Sequence, residues 1–354
     1  MSERILMKGN EALAEATIQA GCRHFFGYPI TPQNEINAYL SARMPQVGGI
    51  YMQAESEVAS INMVMGAAAA GVRVLTSSSS PGISLKTEGI SYLVGCDMPC
   101  LIVNIQRGGP GLGGIQPAQA DYNQATKAPG HGDLQILVFA PASVQEMVDL
   151  VFHAYDKSEE YRMPAMMLGD GLLGQMMEPV QFPAQTPKKH DKPWALTGHQ
   201  NKRPKNTITS LDLQAEELEK KVIKRFERYA LIEKNEVMYE EYLTDDAETV
   251  IVAYGATARI ARSAINQARA AGHKVGMLRP ITLWPFPKQR LQAFIDSTTK
   301  DLLVVEMSMG QMVKDVKLAV EHKMPVHFFG HTGGVVPTPE EVVEQLEKIA
   351  KGRA

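Results

Sequence analysis

Cysteine is scarce in this sequence, which contains only Cys22, Cys96 and Cys100 among its 354 residues. Three thiols cannot form a disulfide framework, and an iron–sulfur cluster held by four thiolates needs a fourth cysteine. Cys96 and Cys100 are spaced as CxxxC, but Cys100 begins the apolar run CLIVNI, which favours a buried core thiol over a metal ligand. We therefore expect any iron–sulfur chemistry to take place on another chain.

The sequence also lacks long apolar runs and an excess of one charge. No run approaches the roughly 20 residues that span a bilayer. The N-terminal stretch MSERILMKGNEALAEA has no apolar core followed by a small-residue cleavage site, as a secretory signal would. With 36 basic and 39 acidic residues the formal net charge is -3, which gives no basic footprint for nucleic acid. These absences predict a soluble cytoplasmic protein that binds neither nucleic acid nor a membrane.

Residues 1–183 alternate strand-like and helical segments. The predicted strands are HFFGYP, GGIYMQ, VRVLTS, PCLIVNIQ, QILVFA and PAMMLG. The predicted helices cover residues 9–20, 33–43, 57–70, 83–94 and 143–157. Apolar strands that alternate with helices predict an α/β domain with a parallel sheet covered on both faces.

Beyond residue 183 the composition changes twice. Residues 184–246 begin with a polar, Lys/Pro-rich linker and continue with dense charge over 211–240, which predicts one long exposed helix. Residues 247–354 restart the alternation with the strand-like runs TVIVAYG, KVGMLR, LLVVEM and VHFFG and a last helix near 339–350. This pattern predicts a second, smaller α/β domain.

Polar residues follow several of the predicted strands, where parallel sheets bind their ligands. Thr31 lies on a turn between Pro29 and Pro32 that holds its hydroxyl rigidly, although composition alone favours a plain structural turn. The serines of TSSSSPG, residues 76–82, suit either a polar ligand or a helix cap. Arg107 follows the strand PCLIVNIQ, and its guanidinium suits a carboxylate substrate.

Glu55 and Glu57 stand at the start of a predicted helix that is rich in small residues. Acidic residues in a first turn stabilise the helix dipole, and we assign this structural role to Glu55. Glu57 is followed by Ala59, Gly66 and Ala67, so another backbone or a flat ligand can approach this helix closely. We therefore expect the Glu57 carboxylate to hydrogen-bond a heterocycle.

Residues 109–114 match the pattern G-x-G-x-x-G, with Asp133 at about the spacing of a dinucleotide site. That motif must open a helix, whereas IQPAQADY, with Pro117, follows here. We interpret the segment as an extended loop. His131 and His331 also lie in glycine-containing loops, where solvated or capping histidines are the common case.

The motifs GNEALAEATIQAGC, GYPITPQNE, QAESEVASINMVMGAAAAG, SSSSPGISL and QRGGPGLG occur in this order. Together they resemble the large thiamine diphosphate (ThDP)-binding subunit of 2-oxoacid:ferredoxin oxidoreductases, strongly over residues 5–183 and more loosely over 245–354. The resemblance implies an α/β, parallel-sheet domain of the type that binds the ThDP pyrimidine (1–183), a linker and long helix (184–246), and a smaller α/β domain similar to the transketolase C-terminal domain (247–354).

The resemblance also implies roles for individual residues. Glu57 would hydrogen-bond the aminopyrimidine ring and favour the tautomer that removes the thiazolium C2 proton. Thr31 and Arg107 are the implied substrate contacts, with Arg107 on the carboxylate. Further cofactor contacts are implied for Pro29, Ile30, Ser79 and Ser80.

Gly169-Asp170-Gly171 resembles the start of the GDG…N motif that binds Mg²⁺ and diphosphate in ThDP enzymes, but no Asn follows until Asn201 in the linker. We interpret the triplet as a strand end and expect no metal on this chain. The resemblance implies that Mg²⁺ and iron–sulfur clusters lie on partner subunits. The implied partners are a small diphosphate-binding subunit, a gamma subunit, an iron–sulfur subunit, ferredoxin and CoA, in a dimer of heteromers.

Within the family, SSSSPGIS, GGPGLG followed by PAQADY, and LGDGLLGQMMEP are similar to the branched-chain type, whereas the 2-oxoglutarate type reads closer to TSGPGFS and QRxGPSTG. This likeness implies oxidative decarboxylation of 3-methyl-2-oxobutanoate to acyl-CoA and CO₂, with electrons passed to ferredoxin, in branched-chain amino acid catabolism. Three alternatives stay open. They are the same reaction on 2-oxoglutarate, pyruvate or an aryl 2-oxoacid, a nucleotide-binding dehydrogenase, and a non-catalytic assembly subunit.

Overall fold

The computed structural model of the protein describes residues 4–184 and 187–353. Positions 185–186, which belong to the predicted linker, lie outside the described residues, as do 1–3 and 354. The strands are β1 (Ile5–Lys8), β2 (His24–Gly27), β3 (Ile50–Gln53), β4 (Val74–Ser78), β5 (Leu101–Gln106), β6 (Leu137–Phe139), β7 (Ala165–Asp170), β8 (Met177–Val180), β9 (Tyr239–Tyr242), β10 (Thr249–Val252), β11 (Val275–Pro280), β12 (Thr282–Trp284), β13 (Asp301–Glu306) and β14 (Val326–Gly330). The helices are α1 (Gly9–Gln19), α2 (Asn34–Gln46), α3 (Glu57–Ala69), α4 (Ser80–Gly95), α5 (Tyr122–Thr126), α6 (Val144–Tyr161), α7 (Gly171–Gln175), α8 (Ala215–Asn235), α9 (Gly255–Ala270), α10 (Lys288–Gln292), α11 (Met312–Ala319) and α12 (Pro339–Arg353).

The larger sheet has seven strands in the order β12-β6-β7-β5-β4-β2-β3. Neighbouring strands are parallel, except that β12 runs antiparallel to β6. Every residue of β4, β5 and β7 is buried, which a strand achieves only when both faces of its sheet are covered. The parallel α/β architecture predicted for residues 1–183 is therefore confirmed.

The smaller sheet has five strands in the order β14-β13-β10-β11-β9, and only β9 is antiparallel to its neighbour. The four strands predicted within residues 247–354 correspond to β10, β11, β13 and β14, which confirms a second α/β domain. A separate antiparallel pair joins β1 to β8. Strands β1, β8, β9 and β12 were missed by the sequence prediction.

Strand β12 comes from the second part of the chain but extends the larger sheet. It pairs with β6 and places Thr282 opposite Phe139. The Ala140 N–H donates to the Ile281 carbonyl at 2.8 Å and continues the contact between the two segments. A segment that follows the predicted boundary at residue 247 thus completes the sheet of the first domain.

Gln119 connects the two domains by hydrogen bonds from both ends of its amide. Its Nε2 donates to the Tyr254 carbonyl at 2.7 Å, and its Oε1 accepts from the Thr257 hydroxyl at 3.1 Å. The same Oε1 accepts from the Met307 N–H, also at 3.1 Å. Because the side chain is buried, losing any of these partners would leave a polar group without water to replace it.

Helix α8 is the long helix predicted over residues 211–240, and most of its surface is exposed. It contacts the first domain through Arg228, which donates to Asp97 at 2.6 Å, and through the buried Tyr229, whose hydroxyl accepts from the Gln135 N–H at 3.2 Å. None of the helices in residues 4–184 and 187–353 combines the length and apolar character needed to cross a membrane.

Candidate functional site

The candidate site lies where β2, β4 and β5 end at one edge of the larger sheet. These strands are consecutive in the sheet and parallel, so the segments that follow them meet at the same edge. The segments are the turn at residues 28–33, the start of α4, and the loop at 107–121. Three of the motifs quoted above are brought together there.

Glu57 is the first residue of α3, and its side chain is only 6% exposed. Ser56 caps the helix, with its Oγ accepting from the Ala59 N–H at 3.1 Å. A Cβ at Gly82 of α4 would stand 2.6 Å from the Glu57 Oε1, so the carboxylate lies directly against the α4 backbone. No donor in the described part of the chain hydrogen-bonds this carboxylate.

The structural role assigned to Glu55 was wrong. Helix α3 begins at Glu57 with Ser56 as its cap, so Glu55 precedes the helix and stands outside its first turn. Glu55 is also exposed, whereas Glu57 is buried. Glu57 is therefore the acidic residue that interacts with the helix dipole.

Within the described part of the chain, two of the four serines at residues 77–80 hydrogen-bond other side chains through their hydroxyls, and two do not. The Ser77 Oγ donates to Gln33 at 2.6 Å, and the Ser80 Oγ donates to Asp121 at 2.6 Å. The buried Oγ atoms of Ser78 and Ser79 have no hydrogen-bond partner among the described residues. Ser79 occupies the cap position of α4 without making a capping bond from its side chain. Of the two serines predicted to contact a cofactor, Ser79 has a hydroxyl without a partner and Ser80 does not.

Asp121 was missed by the sequence reasoning. Its Oδ2 accepts from the Ser80 hydroxyl and from the Asn104 Nδ2, the latter at 2.9 Å. Burial raises the pKa of Asp121, while the hydrogen bonds from Ser80 and Asn104 act against that rise. The available signal was Asn104, a polar residue inside the otherwise apolar strand LIVNIQ.

Arg107 and Thr31 lie together, but their contact uses the backbone of Thr31. The Arg107 side chain is 6% exposed; its Nη1 donates to the Thr31 carbonyl and its Nη2 to the Leu112 carbonyl, each at 2.9 Å. The Arg107 Nε is buried without a partner in the part of the chain described. The Thr31 hydroxyl accepts from Asn34 at 3.1 Å.

The remaining residues of the Thr31 turn were predicted to contact the cofactor. Pro29 is exposed and Ile30 is half-buried. The Ile30 carbonyl accepts from the Gln33 N–H at 3.0 Å, which closes the turn before α2. Both roles stay predictions.

The glycine-rich loop opens no helix. The Gly108 N–H donates to the Gln116 carbonyl at 3.0 Å and the Gly114 N–H donates to the Gly108 carbonyl at 2.8 Å, which folds the loop back on itself. Gly113 has a φ of 57°, and a Cβ there would stand 1.9 Å from the Gly108 oxygen. The extended-loop interpretation is correct, and the tip is open to solvent, with Leu112 83% exposed.

Lys86 of α4 is a second residue that the sequence reasoning missed. Its side chain is fully buried, and its Nζ donates to the Ser60 hydroxyl and, at 3.0 Å, to the Thr76 hydroxyl. Burial lowers its pKa to about 7, against an opposing attraction from Glu57. A single lysine in an apolar helix face was the signal in the sequence.

Asp170 lies at a strand end, as predicted. It ends β7 and caps α7, accepting from the N–H groups of Leu172 at 2.9 Å and Leu173 at 3.1 Å. Burial raises its pKa to about 6, although the backbone N–H groups around it act in the opposite direction. Cys100 is also placed as predicted, since it is a buried free thiol immediately before β5.

The predicted loop histidines have partners of their own. His331 pairs with Glu341 of α12, with 3.1 Å between Nε2 and Oε1. The exposed His131 contacts the edge of the Tyr92 ring, and its backbone N–H donates to the Ser91 hydroxyl at 2.7 Å. Both arrangements are those of surface histidines.

Two family models match nearly the whole chain. Residues 15–243 match the family described as pyruvate flavodoxin/ferredoxin oxidoreductase, thiamine diphosphate-binding, and residues 247–342 match the core domain II of pyruvate:ferredoxin oxidoreductase. The chain therefore belongs to the subunits of ThDP-dependent 2-oxoacid:ferredoxin oxidoreductases, as the motifs predicted. These are oxidoreductases that work as multi-subunit complexes.

Individual relatives are similar over the full length. The ketoisovalerate oxidoreductase subunit VorB of Methanothermobacter thermautotrophicus is 49% identical, over 98% of this chain and 97% of its own. VorB of Methanothermobacter marburgensis is 47% identical over the same shares. The 2-oxoglutarate synthase subunit KorA of Methanocaldococcus jannaschii is 34% identical, over 95% of this chain and 97% of its own.

Solved structures share the fold. The 2-oxoglutarate:ferredoxin oxidoreductase from Magnetococcus marinus, with 2-oxoglutarate, coenzyme A and succinyl-CoA bound, matches 98% of this chain with a TM-score of 0.86 and 28% identity. This chain spans 65% of that longer chain. A split-gene transketolase matches 97% of both chains with a TM-score of 0.59 and 14% identity, which shows a transketolase-like fold.

The residues present fit the pyrimidine end of ThDP. Glu57 offers a buried carboxylate without a hydrogen-bonding partner in residues 4–184 and 187–353, and the unpartnered hydroxyls of Ser78 and Ser79 belong to the adjacent segment. Because Gly82 has no side chain, the Glu57 carboxylate and the Ser78 hydroxyl lie directly against the α4 backbone. A buried carboxylate beside unpartnered hydroxyls suits a hydrogen-bonding heterocycle.

Proposed function

We propose that this protein is the pyrimidine-binding subunit of a complex that oxidatively decarboxylates 3-methyl-2-oxobutanoate and related branched-chain 2-oxoacids to acyl-CoA and CO₂, with ferredoxin as electron acceptor. The observation that carries the catalytic role is the buried Glu57 carboxylate held against Gly82. The branched-chain preference is supported by 49% identity to a ketoisovalerate oxidoreductase subunit, against 34% to a 2-oxoglutarate synthase subunit.

Glu57 and the neighbouring serines would hold the cofactor. When bound, ThDP supplies the carbon nucleophile that the decarboxylation of a 2-oxoacid requires. The Glu57 carboxylate would form a hydrogen bond with the pyrimidine ring nitrogen and share a proton with it. The Ser79 hydroxyl, together with that of Ser78, has no competing partner among the described residues and is available to the same ligand.

Arg107 would bind the substrate carboxylate. A guanidinium has five N–H donors, and Arg107 uses two of them on backbone carbonyls. Three donors are left for a ligand, including the buried Nε, which has no partner in the described ranges. Thr31 would contribute to substrate binding through Arg107, because the Thr31 carbonyl accepts a hydrogen bond from the guanidinium and holds it at the edge of the sheet.

The proposal includes the partners that the chain needs. A small subunit would bind the diphosphate through Mg²⁺, because the GDG of this chain is used to cap α7. An iron–sulfur subunit would carry the clusters, since this chain has only three cysteines and all of them are buried. A gamma subunit would complete the heteromer, and two heteromers would form a dimer in the cytoplasm. CoA and ferredoxin would bind to this complex.

A 2-oxoglutarate specificity is the second candidate, because the Magnetococcus marinus enzyme has the same fold over 98% of this chain. The assembled complex should be assayed with 3-methyl-2-oxobutanoate, 2-oxoglutarate, pyruvate and an aryl 2-oxoacid. We expect kcat/KM to be highest for the branched-chain acid. A higher value for 2-oxoglutarate would reassign the substrate without changing the role of Glu57.

The catalytic role is tested by Glu57→Gln, with Glu55→Gln as the matched control. The amide preserves the shape of the side chain but cannot share the ring proton, so exchange of the C2 proton of bound ThDP should slow by about 10²–10⁴-fold in the assembled complex. Glu55 is exposed and outside α3, so Glu55→Gln should exchange normally. Normal exchange in Glu57→Gln would refute the assignment and favour a non-catalytic assembly subunit.

A further inference from the structure

Lys86 occupies the face of α4 that packs on α3. Gly82, Lys86 and Gly89 are spaced i, i+4, i+7 and therefore share one side of the helix. The two glycines bring the helices close, because a Cβ at Gly82 would meet Glu57 and a Cβ at Gly89 would meet Ile61 at 2.4 Å. Lys86 thus lies between two close approaches of α3 and α4, one of which involves Glu57, the catalytic candidate.

The contacts of the Lys86 ammonium converge on the first turn of α3. The Nζ donates to the Ser60 hydroxyl and lies 3.5 Å from the Glu57 carbonyl, which also accepts from Ser60 at 2.9 Å. A third bond, 3.0 Å long, reaches the Thr76 hydroxyl on β4. The ammonium therefore ties the turn that carries Glu57 to both α4 and the central sheet.

All three acceptors of the buried ammonium are neutral oxygens. A buried charge is costly unless an opposite charge compensates it, and hydroxyls alone are poor compensation. The groups that act electrostatically on Lys86 are Glu57 on α3 and the Cys100 thiol before β5, and burial raises the pKa of that thiol, which keeps it neutral. Glu57 is then the carboxylate that favours a charged Lys86.

We propose that Lys86 is a positioning residue for Glu57, fixing the first turn of α3 and placing a buried positive charge beside the Glu57 carboxylate. The inference rests on the proposed role of Glu57. Lys86 does not contact the cofactor in this proposal; it holds the orientation of the residue that does. A purely structural tie between helices is the alternative, and the two make different predictions.

The test is a double-mutant cycle in the assembled complex, using Lys86→Met, Glu57→Gln and the double variant. Exchange of the C2 proton of bound ThDP should slow roughly tenfold in Lys86→Met and change less than about twofold when Glu57 is already Gln, because residues that act through one another are not additive. Ser91→Ala removes a buried hydrogen bond from the far end of the same helix and should exchange normally.

Two measurements without turnover separate positioning from scaffolding. The Tm of the full chain, followed by circular dichroism, should change little in Lys86→Met, because the loss of hydrogen bonds to neutral oxygens is offset by the removal of a buried charge. The dissociation constant of ThDP, measured by calorimetry on the complex, should increase less than the exchange rate falls. If Lys86→Met does not assemble, Lys86→Gln, which keeps donors without charge, takes its place in the cycle.

Unchanged exchange in Lys86→Met would overturn the inference, and so would an equal slowing in both Glu57 backgrounds. Slow exchange in Glu57→Gln with normal exchange in Lys86→Met would refute the role of Lys86 alone. Normal exchange in Glu57→Gln would refute the proposed function and this inference with it.

Discussion

At the scale of single residues, Gly82 controls the space in which the Glu57 carboxylate lies. A Cβ at this position would stand 2.0 Å from the Ser78 Oγ and 2.6 Å from the Glu57 Oε1, so even alanine must displace both side chains. Packed interiors do not absorb such overlaps without cost. Gly66 of α3 is the opposite case, since nothing lies within 4 Å of the equivalent position.

We predict that Gly82→Ala weakens ThDP binding to the assembled complex and slows C2 proton exchange, because the methyl group moves the carboxylate. Overpacking of this kind also destabilises a core by about 1–3 kcal/mol. Gly66→Ala is the matched control and should leave exchange unchanged while raising helix stability by roughly 0.5–1 kcal/mol. Calorimetric ThDP titration and thermal unfolding measure the two effects, and equal behaviour of the two variants would contradict the geometry.

The residues of the site were predictable where they follow strand ends and unpredictable where burial creates their chemistry. Glu57, Ser79 and Arg107 stand at junctions that any parallel sheet gathers at one edge, so their positions follow from the sequence pattern, while their roles stay predictions. Lys86 and Asp121 acquire their roles only from neighbours distant in sequence, Ser60 and Ser80 respectively. The local sequence pattern of a helix or a loop does not reveal such contacts.

At the scale of elements, the same division holds. The apolar strands β4, β5 and β7 were found because they are buried on both faces and read as continuous hydrophobic runs. Strand β12 has three residues, follows Pro280 and precedes Pro285, and owes its pairing to a strand far away in the sequence. Local pattern cannot distinguish such a strand from a loop.

Asp170, at the junction of β7 and α7, makes the stability of the protein depend on pH. It is buried, caps α7, and has a pKa raised from 3.8 to about 6 by burial, against backbone hydrogen bonds from Leu173, Leu172 and Ala256 of α9. Between about pH 4 and pH 6 the native state thus retains a proton that the unfolded chain has lost. The stability contributed by the neutral carboxyl is present at pH 4 and is lost as the pH rises through about 6.

We predict that Asp170→Asn flattens this part of the stability profile, because the amide oxygen keeps the cap and carries no charge. Relative to wild type, the free energy of unfolding of the variant should improve by about 2 kcal/mol between pH 4 and pH 7.5. Thermal unfolding of the full chain across this range provides the measurement. The exposed Asp245→Asn should follow wild type, and a variant that tracks wild type at every pH would show that Asp170 titrates normally.

At the scale of the whole molecule, the proposed function gives this chain only the ring end of a ThDP site. Its candidate groups would contact that end of the cofactor, whereas its GDG segment is used for helix capping and its cysteines are buried. Gln119 and β12 hold the two α/β domains together.

We predict that the purified chain alone turns over no 2-oxoacid with ThDP, Mg²⁺, CoA and ferredoxin, because it has no complete diphosphate motif and too few cysteines for a cluster. Reconstitution with the partner subunits should restore the activity. Ferredoxin reduction followed by absorbance is the assay. Turnover by the single chain would contradict the division of the site between subunits.

The contribution of β12 to the larger sheet has a consequence for synthesis on the ribosome. Strand β6 emerges with one edge unpaired, and its partner follows roughly 140 residues later, a delay on the order of ten seconds at ordinary translation speeds. During that interval the nascent chain carries an open, apolar sheet edge, which is a template for pairing with other chains. Codon usage and chaperone access between residues 140 and 284 should therefore influence the yield of folded protein more than changes after that point.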